Sequence, residues 1–201
     1  GTLRGDGISF SQDAYMNVVQ ADGPAVKGGN TGTQNSALAV QLSYPSPGLV
    51  KTEEYDGMTW MLHPKQPNAA AGNASAGMVT TAIVAGGHGR GLCTEFFDGT
   101  SWSSGPANNR CKCAHAMGGT QNDAMTVGGA SSHGWHRESE LFDGTSWTST
   151  NQSAGTFHSR GSSGGGGSAN TIQHGGGSQD IAARVWDVYY PTTASFGRVE
   201  P

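Results

Sequence analysis

Glu95-Phe96-Phe97-Asp98-Gly99-Thr100-Ser101-Trp102 returns further along the chain as Glu140-Leu141-Phe142-Asp143-Gly144-Thr145-Ser146-Trp147, and an earlier version reads Glu53-Glu54-Tyr55-Asp56-Gly57-Met58-Thr59-Trp60. Measured between aspartates, the intervals are 98 − 56 = 42 and 143 − 98 = 45 residues. A worn fourth copy is read in Arg184-Val185-Trp186-Asp187-Val188-Tyr189-Tyr190, its aspartate 187 − 143 = 44 residues beyond the third. A period of this size marks one supersecondary unit used repeatedly, so the architecture follows from the unit.

The wording upstream of each phrase repeats as well. Gly32-Thr33-Gln34-Asn35-Ser36-Ala37 recurs as Gly119-Thr120-Gln121-Asn122-Asp123-Ala124, 119 − 32 = 87 residues later, which is two periods. A small and apolar run follows at 37–42, 78–85, 124–127 and, weakly, 171–174. Three of these runs close on paired glycines, Gly86-Gly87, Gly128-Gly129 and Gly176-Gly177. Four units are expected, with the outer two drifted because the ends of an array meet different neighbours.

Within the third unit, 124–127 reads as a short strand and 138–142 alternates polar and apolar side chains as a half-buried strand does. Asp143-Gly144 marks a hairpin turn, and Trp147 opens the return strand with a large area to bury. Phe157-His158-Ser159-Arg160 is expected to supply a fourth strand before the next unit begins. Four short antiparallel strands in 42–45 residues describe one blade of a β-propeller. The fold class is therefore all-β, a propeller of about four blades, with an open array or a trimeric β-prism as the alternative. Isoleucine, phenylalanine, tyrosine and valine within 7–19 are placed to supply a closing strand. The domain reading is an N-terminal segment 1–27, a repeat domain 28–191 and a C-terminal junction 192–201.

Composition agrees. The 201 residues include 33 glycines, only 34% are apolar and 13% charged, and the net charge is −4. Disordered chains are poor in aromatics and hold no such register. No basic stripe suggests nucleic acid, and no apolar run approaches the roughly 18 residues of a membrane span. No signal-peptide pattern stands ahead of Gly1, which reads as the start of a processed product or of a piece of something longer.

The order of paired glycines, an acidic-aromatic-Asp strand, tryptophan and an Arg/His segment is similar to a kelch repeat. The second unit supplies Gly86-Gly87, the strand 95–98, Trp102, and Arg110 with His115; the third supplies Gly128-Gly129, the strand 140–143, Trp147, and His158 with Arg160. The order of Arg and His varies, and the period is shorter than the usual kelch length of about 50. The wording Tyr/Phe-Asp-Gly-Thr-Ser-Trp resembles kelch-like arrays in tail-fibre and other appendage proteins of bacteriophages. Ala194-Ser195-Phe196-Gly197-Arg198-Val199-Glu200 likewise resembles a junction to a further fibre segment. The resemblance covers roughly 28–200. It implies a virion location, other virion proteins as partners, a homo-oligomer such as a trimer, and contact with host-surface glycans. The Asp box of sialidases is a poorer match, because here aspartate and glycine are adjacent and Trp102 comes four residues after Asp98.

Candidate chemistry is sparse. Cys111, Cys113 and His115 alternate as ligands would along one strand face, but no fourth ligand is evident, so no metal is assigned. The odd total of three cysteines, with Cys93, completes no disulfide framework. His133, Trp135, His136 and Arg137 occupy the longest insert between a glycine pair and its next strand, and His88 with Arg90 stands at the equivalent place in the second unit. These six are the expected ligand-binding residues, since loops on one face of an array carry binding surfaces. Asp56, Gly57 and Trp60, Asp98, Gly99 and Trp102, and Asp143, Gly144 and Trp147 recur in every clear unit and are assigned to structure. Glu53, Glu95 and Glu140 are expected to pair with arginines or cap backbone groups. No catalytic residue and no cofactor are assigned. The expected function is a non-enzymatic appendage protein binding host glycans. The alternatives are a purely structural assembly protein and a carbohydrate-active propeller enzyme.

Overall fold

The computed structural model describes residues 29–42, 50–68, 70–89 and 92–153, together with the strands at 161–163, 172–174, 186–190 and 195–199. Every regular element among them is a strand. The first sheet contains β1 (Gly29–Thr33), β2 (Ser36–Leu42), β3 (Val50–Tyr55) and β4 (Trp60–His63) in that spatial order. The second contains β5 (Ala74–Met78), β6 (Thr81–Ala85), β7 (Thr94–Phe97) and β8 (Trp102–Ser104). The third contains β9 (Ala116–Thr120), β10 (Asp123–Val127), β13 (Ser139–Phe142) and β14 (Trp147–Thr150), interrupted by a small hairpin of β11 (Ala130–Ser131) and β12 (Gly134–Trp135). The fourth contains β15 (Gly161–Ser163), β16 (Ile172–His174), β17 (Trp186–Tyr190) and β18 (Ser195–Val199). All pairings are antiparallel. The chain is all-β, built of repeated four-stranded sheets.

The repeated aspartate explains the turn between the third and fourth strands. Asp98 Oδ1 accepts hydrogen bonds from the Thr100 and Ser101 amides at 2.8 and 2.7 Å, and Asp143 Oδ1 accepts from Thr145 and Ser146 at 2.8 Å each. Asp56 does the same for Met58 and Thr59. Only the glycine of each Asp-Gly pair takes a positive φ, and the aspartate works as a side-chain cap. These bonds to the ionised form hold the Asp56 and Asp98 carboxyls below the usual range and bring Asp143 to about 2.

The structure shifts the phase of the unit. The segment expected to close each blade opens the next sheet instead: Arg110 and His115 lead into β9, the first strand of the third sheet. The equivalent 157–160 lies outside the described residues. The reason is the hairpin between first and second strands, where Gly119 at φ 111° faces β10 so closely that a side chain would strike the Asp123 carbonyl. Gly77 makes the same hairpin in the second unit, so the apolar run 78–85 splits into the end of β5, a turn at Val79-Thr80 and β6.

The fourth unit is also realigned. Asp187 lies inside β17, opposite Gln173 and Arg198, and not on a turn. Tyr190 is the aromatic that ends the third strand, as Tyr55, Phe97 and Phe142 do, and four residues separate it from Ser195 just as four separate Phe142 from Trp147. Pro191 therefore stands where the aspartate would be. The segment 192–201, expected as a junction, contributes β18 to the last sheet, and the closing strand expected within 7–19 lies outside the described residues.

Successive sheets stack with β1 beside β5, β5 beside β9, and β9 beside β15. Leu38 and Val40 of the first sheet pack on Ala82, Val84, Phe97 and Trp102 of the second. Ala74, Ala76, Ile83 and Ala85, with Phe96, pack on Met117, Ala124, Phe142 and Trp147 of the third. Trp102 and Trp147 also stitch their sheets to the ones before. Trp102 Nε1 donates to Thr52 Oγ1 at 3.1 Å and to the Pro64 carbonyl at 3.0 Å, and Trp147 Nε1 donates to Thr94 Oγ1 at 3.0 Å.

Candidate functional site

Two of the three repeated glutamates, Glu95 and Glu140, are consumed by the scaffold. Glu95 Oε1 accepts from the amide and side chain of Asn68 at 3.1 and 3.0 Å, and Glu140 Oε1 accepts from the Asn109 amide at 2.7 Å. Each glutamate thus clamps the linker that leads into its own sheet, as the backbone-capping expectation held. The cation that meets Glu140 is a lysine, not an arginine: Lys112 Nζ lies 2.8 Å from Glu140 Oε2, with both side chains fully buried. Burial pushes the Lys112 ammonium down, and Glu140 opposes that shift. Glu53 is pushed up by burial.

Lys112 sits between Cys111, which is exposed, and Cys113, which is buried. Cys113 pairs with Ala130 through two backbone bonds of 2.8 Å, which ties the β11–β12 hairpin to this segment. Its thiol also donates to the Ala130 carbonyl at 3.3 Å and lies 3.4 Å from His88 Nε2. His115 is buried between two close backbones: a methyl group at Gly86 would come within 2.5 Å of its Cε1, and one at Gly129 within 2.8 Å of its Cβ. That approach is what the paired glycines provide. Neither ring nitrogen has a partner among the described residues, and burial with Lys112 nearby lowers its pKa to about 3. His115 is a neutral packing element, and no group of three or more His, Cys, Asp or Glu among the described residues is arranged to hold a metal ion.

The expected ligand-binding residues fall in two places. His88 is exposed, its amide bonded to the Ala71 carbonyl at 2.9 Å, while Arg90 lies outside the described residues. His133 is exposed at the tip of the β11–β12 hairpin with Ser132 Oγ 3.2 Å from its Nδ1, and Trp135 is half-buried in β12 opposite Ala130. Since Cys113 touches His88 on one side and Ala130 on the other, the hairpin and His88 are neighbours across the second and third sheets. His136 and Arg137 are both tied down, His136 half-buried and Arg137 exposed. His136 Nε2 meets Ser131 Oγ at 2.7 Å, and Arg137 Nε donates to the Ser153 carbonyl at 2.9 Å. They brace the hairpin, which carries His133 exposed at its tip and Trp135 half-buried beside it.

Sequence reasoning missed Lys112, whose single occurrence leaves no trace in a repeat, and it missed the Thr52, Thr94 and Ser139 series. That series is legible at the same period, one residue before each glutamate. No helix among the described residues is long and apolar enough to cross a membrane. No protein-family model matches the chain, and no curated protein matches it.

Proposed function

We propose that the chain is a non-enzymatic module of a virion appendage, a kelch-like propeller array whose β11–β12 hairpin contacts host-surface glycans. The observation that carries this reading is the division of polar groups. Asp56, Asp98 and Asp143 cap turns, Glu95 and Glu140 clamp linkers, and an exposed imidazole with a half-buried indole sits on an insertion that only the third described sheet carries. A half-buried indole beside an exposed imidazole suits the apolar face and hydroxyl edge of a sugar. Many weak sites on one homo-oligomeric particle add through effective concentration.

The test is a glycan array with the whole chain, with a His133→Ala, Trp135→Ala double variant as the control. Binding by the wild type that drops at least tenfold in the folded variant supports the reading. Unchanged binding in the variant, or release of sugar product on incubation, overturns it. A second reading, a purely structural assembly protein, draws on Met58, Met61 and Leu62, which are 78%, 46% and 69% exposed around the last strand and turn of the first sheet. A blank array with a stable assembly between chains would favour it.

A further inference from the structure

The fold sorts the exposed charge of the chain. In each of the first three sheets the turns from first to second strand and from third to fourth lie at one end. The second-to-third loop and the linker onward lie at the other. Neighbouring sheets keep that orientation. The Gly29 amide opening β1 meets Asn73 Oδ1 just ahead of β5 at 2.7 Å, and Thr31 Oγ1 reaches the Gly77 carbonyl at 2.6 Å. Ala114 ahead of β9 donates its amide to the Gly72 carbonyl ahead of β5 at 2.7 Å, and Gln121 of the β9–β10 turn reaches the Ala82 carbonyl in β6 at 3.0 Å. The turns therefore share one end of the stack, and the loops and linkers share the other.

Among the described residues the exposed carboxylates are Asp56, Asp98, Asp123 and Asp143, and all four stand at the turn end. The exposed lysine and arginines among them, Lys65, Arg110 and Arg137, all stand at the loop end, together with the exposed His88 and His133. Glu138, also at the loop end, is half-buried and lies 3.4 Å from both Arg110 Nη2 and His136 Nδ1. A chain of net charge −4 thus carries one electropositive end.

We propose that the loop end docks an acidic polysaccharide, carboxylate- or phosphate-bearing, with Arg110 and Arg137 meeting its anionic groups beside the hairpin that contacts its rings. A guanidinium matches carboxylate and phosphate in bidentate geometry. The aspartate end is repelled by the same surface, so the charge partition turns the molecule loops-first before contact. A second copy stacked head to tail would also offer complementary charge, but the turn end is poorly equipped to meet it. Asp98 Oδ1 already accepts two amides and the Thr100 hydroxyl, and its Oδ2 accepts from Ser101 Oγ at 3.0 Å. Asp143 is engaged in the same way by Thr145 and Ser146.

The inference rests on the glycan reading of the hairpin and names the class of sugar. The test is binding of the whole chain to two matched pairs: galacturonate oligomers against galactose oligomers, and phosphorylated mannan against mannan. The acidic member of at least one pair is expected to bind roughly tenfold more tightly at about 0.05 M salt and to lose that advantage at about 0.5 M. The pair that responds tells carboxylate from phosphate. Arg110→Gln combined with Arg137→Gln is expected to bring the acidic member down to its neutral counterpart. Should that variant not fold, Lys65→Gln with Arg110→Gln, both at exposed positions, is expected to cut the advantage roughly threefold. Equal binding of acidic and neutral members overturns this inference and leaves the hairpin reading standing, whereas binding to none of the four overturns both. An acid preference untouched by the substitutions overturns it. So does equally tight binding of a single-stranded oligonucleotide, which would make the end a general polyanion binder. A native mass that grows at low salt and falls back in the arginine variant would put a second copy on that end and overturn it as well.

Discussion

The junction of the first and second sheets and that of the second and third share one plan and differ in their chemistry. At the first, the clamp on Glu95 is Asn68, and the residue just ahead of β5 is Asn73, whose Oδ1 accepts from the Gly29 amide at 2.7 Å and whose amide reaches Gln66 at 3.3 Å. At the second, the clamp is Asn109 helped by Lys112, and the residue just ahead of β9 is His115. Neutral amides hold one junction and ionisable groups the other. The repeat therefore preserves geometry, with a carboxylate reaching back over its linker, and leaves charge balance free to vary.

The widest separation between the junctions should come from neutralising the clamps. Glu140→Gln leaves the buried Lys112 ammonium without its counter-charge, and breaking such a pair costs about 3–5 kcal/mol. Glu95→Gln keeps an acceptor for Asn68 and removes a charge that no cation among the described residues neutralises, so its cost should be under about 1 kcal/mol. Urea unfolding of both variants measures the gap, and equal losses would erase the distinction. Lys112→Met combined with Glu140→Gln should recover most of the stability lost by Glu140→Gln alone.

Acid should act on the second junction before the first. His115 titrates near 3 when folded and near 6.5 when unfolded, so below about 6.5 the unfolded chain binds the extra proton and stability falls as pH drops toward 3. One such group gives a slope of at most about 1.4 kcal/mol per pH unit. His115→Leu should flatten the stability profile between pH 6 and 4, and a profile unchanged by that substitution would contradict the neutral-imidazole reading. Below that window the turn aspartates contribute at every junction, because their lowered values give stability that is lost as pH falls through them.

The smallest contrast concerns the stitches. Thr94→Val strands the indole N–H of Trp147, which is buried, and should cost about 1–2 kcal/mol. Thr52→Val leaves Trp102 its second acceptor, the Pro64 carbonyl, and should cost about half as much. Thermal shifts of the two variants, compared side by side, decide whether the second acceptor compensates.

Much of the scaffold could be read from letters alone. The runs at 37–42 and 124–127 are β2 and β10, Asp98-Gly99 and Asp143-Gly144 are turns, and the repeated glutamates are structural. What misled was phase. A repeat has no intrinsic first strand, and the Gly119 hairpin that joins first to second depends on a close backbone approach that periodicity does not display. Asp187 misled for a related reason: it kept the letter of the turn aspartate but stands in the middle of a strand. For the candidate site, the hairpin was legible as an insert, yet the bonds that hold His136 and Arg137 were not, because Ser131 and Ser153 are anonymous polar residues in the sequence.

The two tryptophan stitches run one way only, the second sheet reaching back to the first and the third to the second. That gives the stack a head and a tail of unequal character. Removing the sheets after the second would uncover the Thr94 hydroxyl beside the small residues Ala74, Ala76 and Ala85, whereas removing the first would lay bare the Trp102 indole with the Phe97 ring. Versions shortened from the N-terminal side should therefore cling to one another more than versions shortened from the C-terminal side.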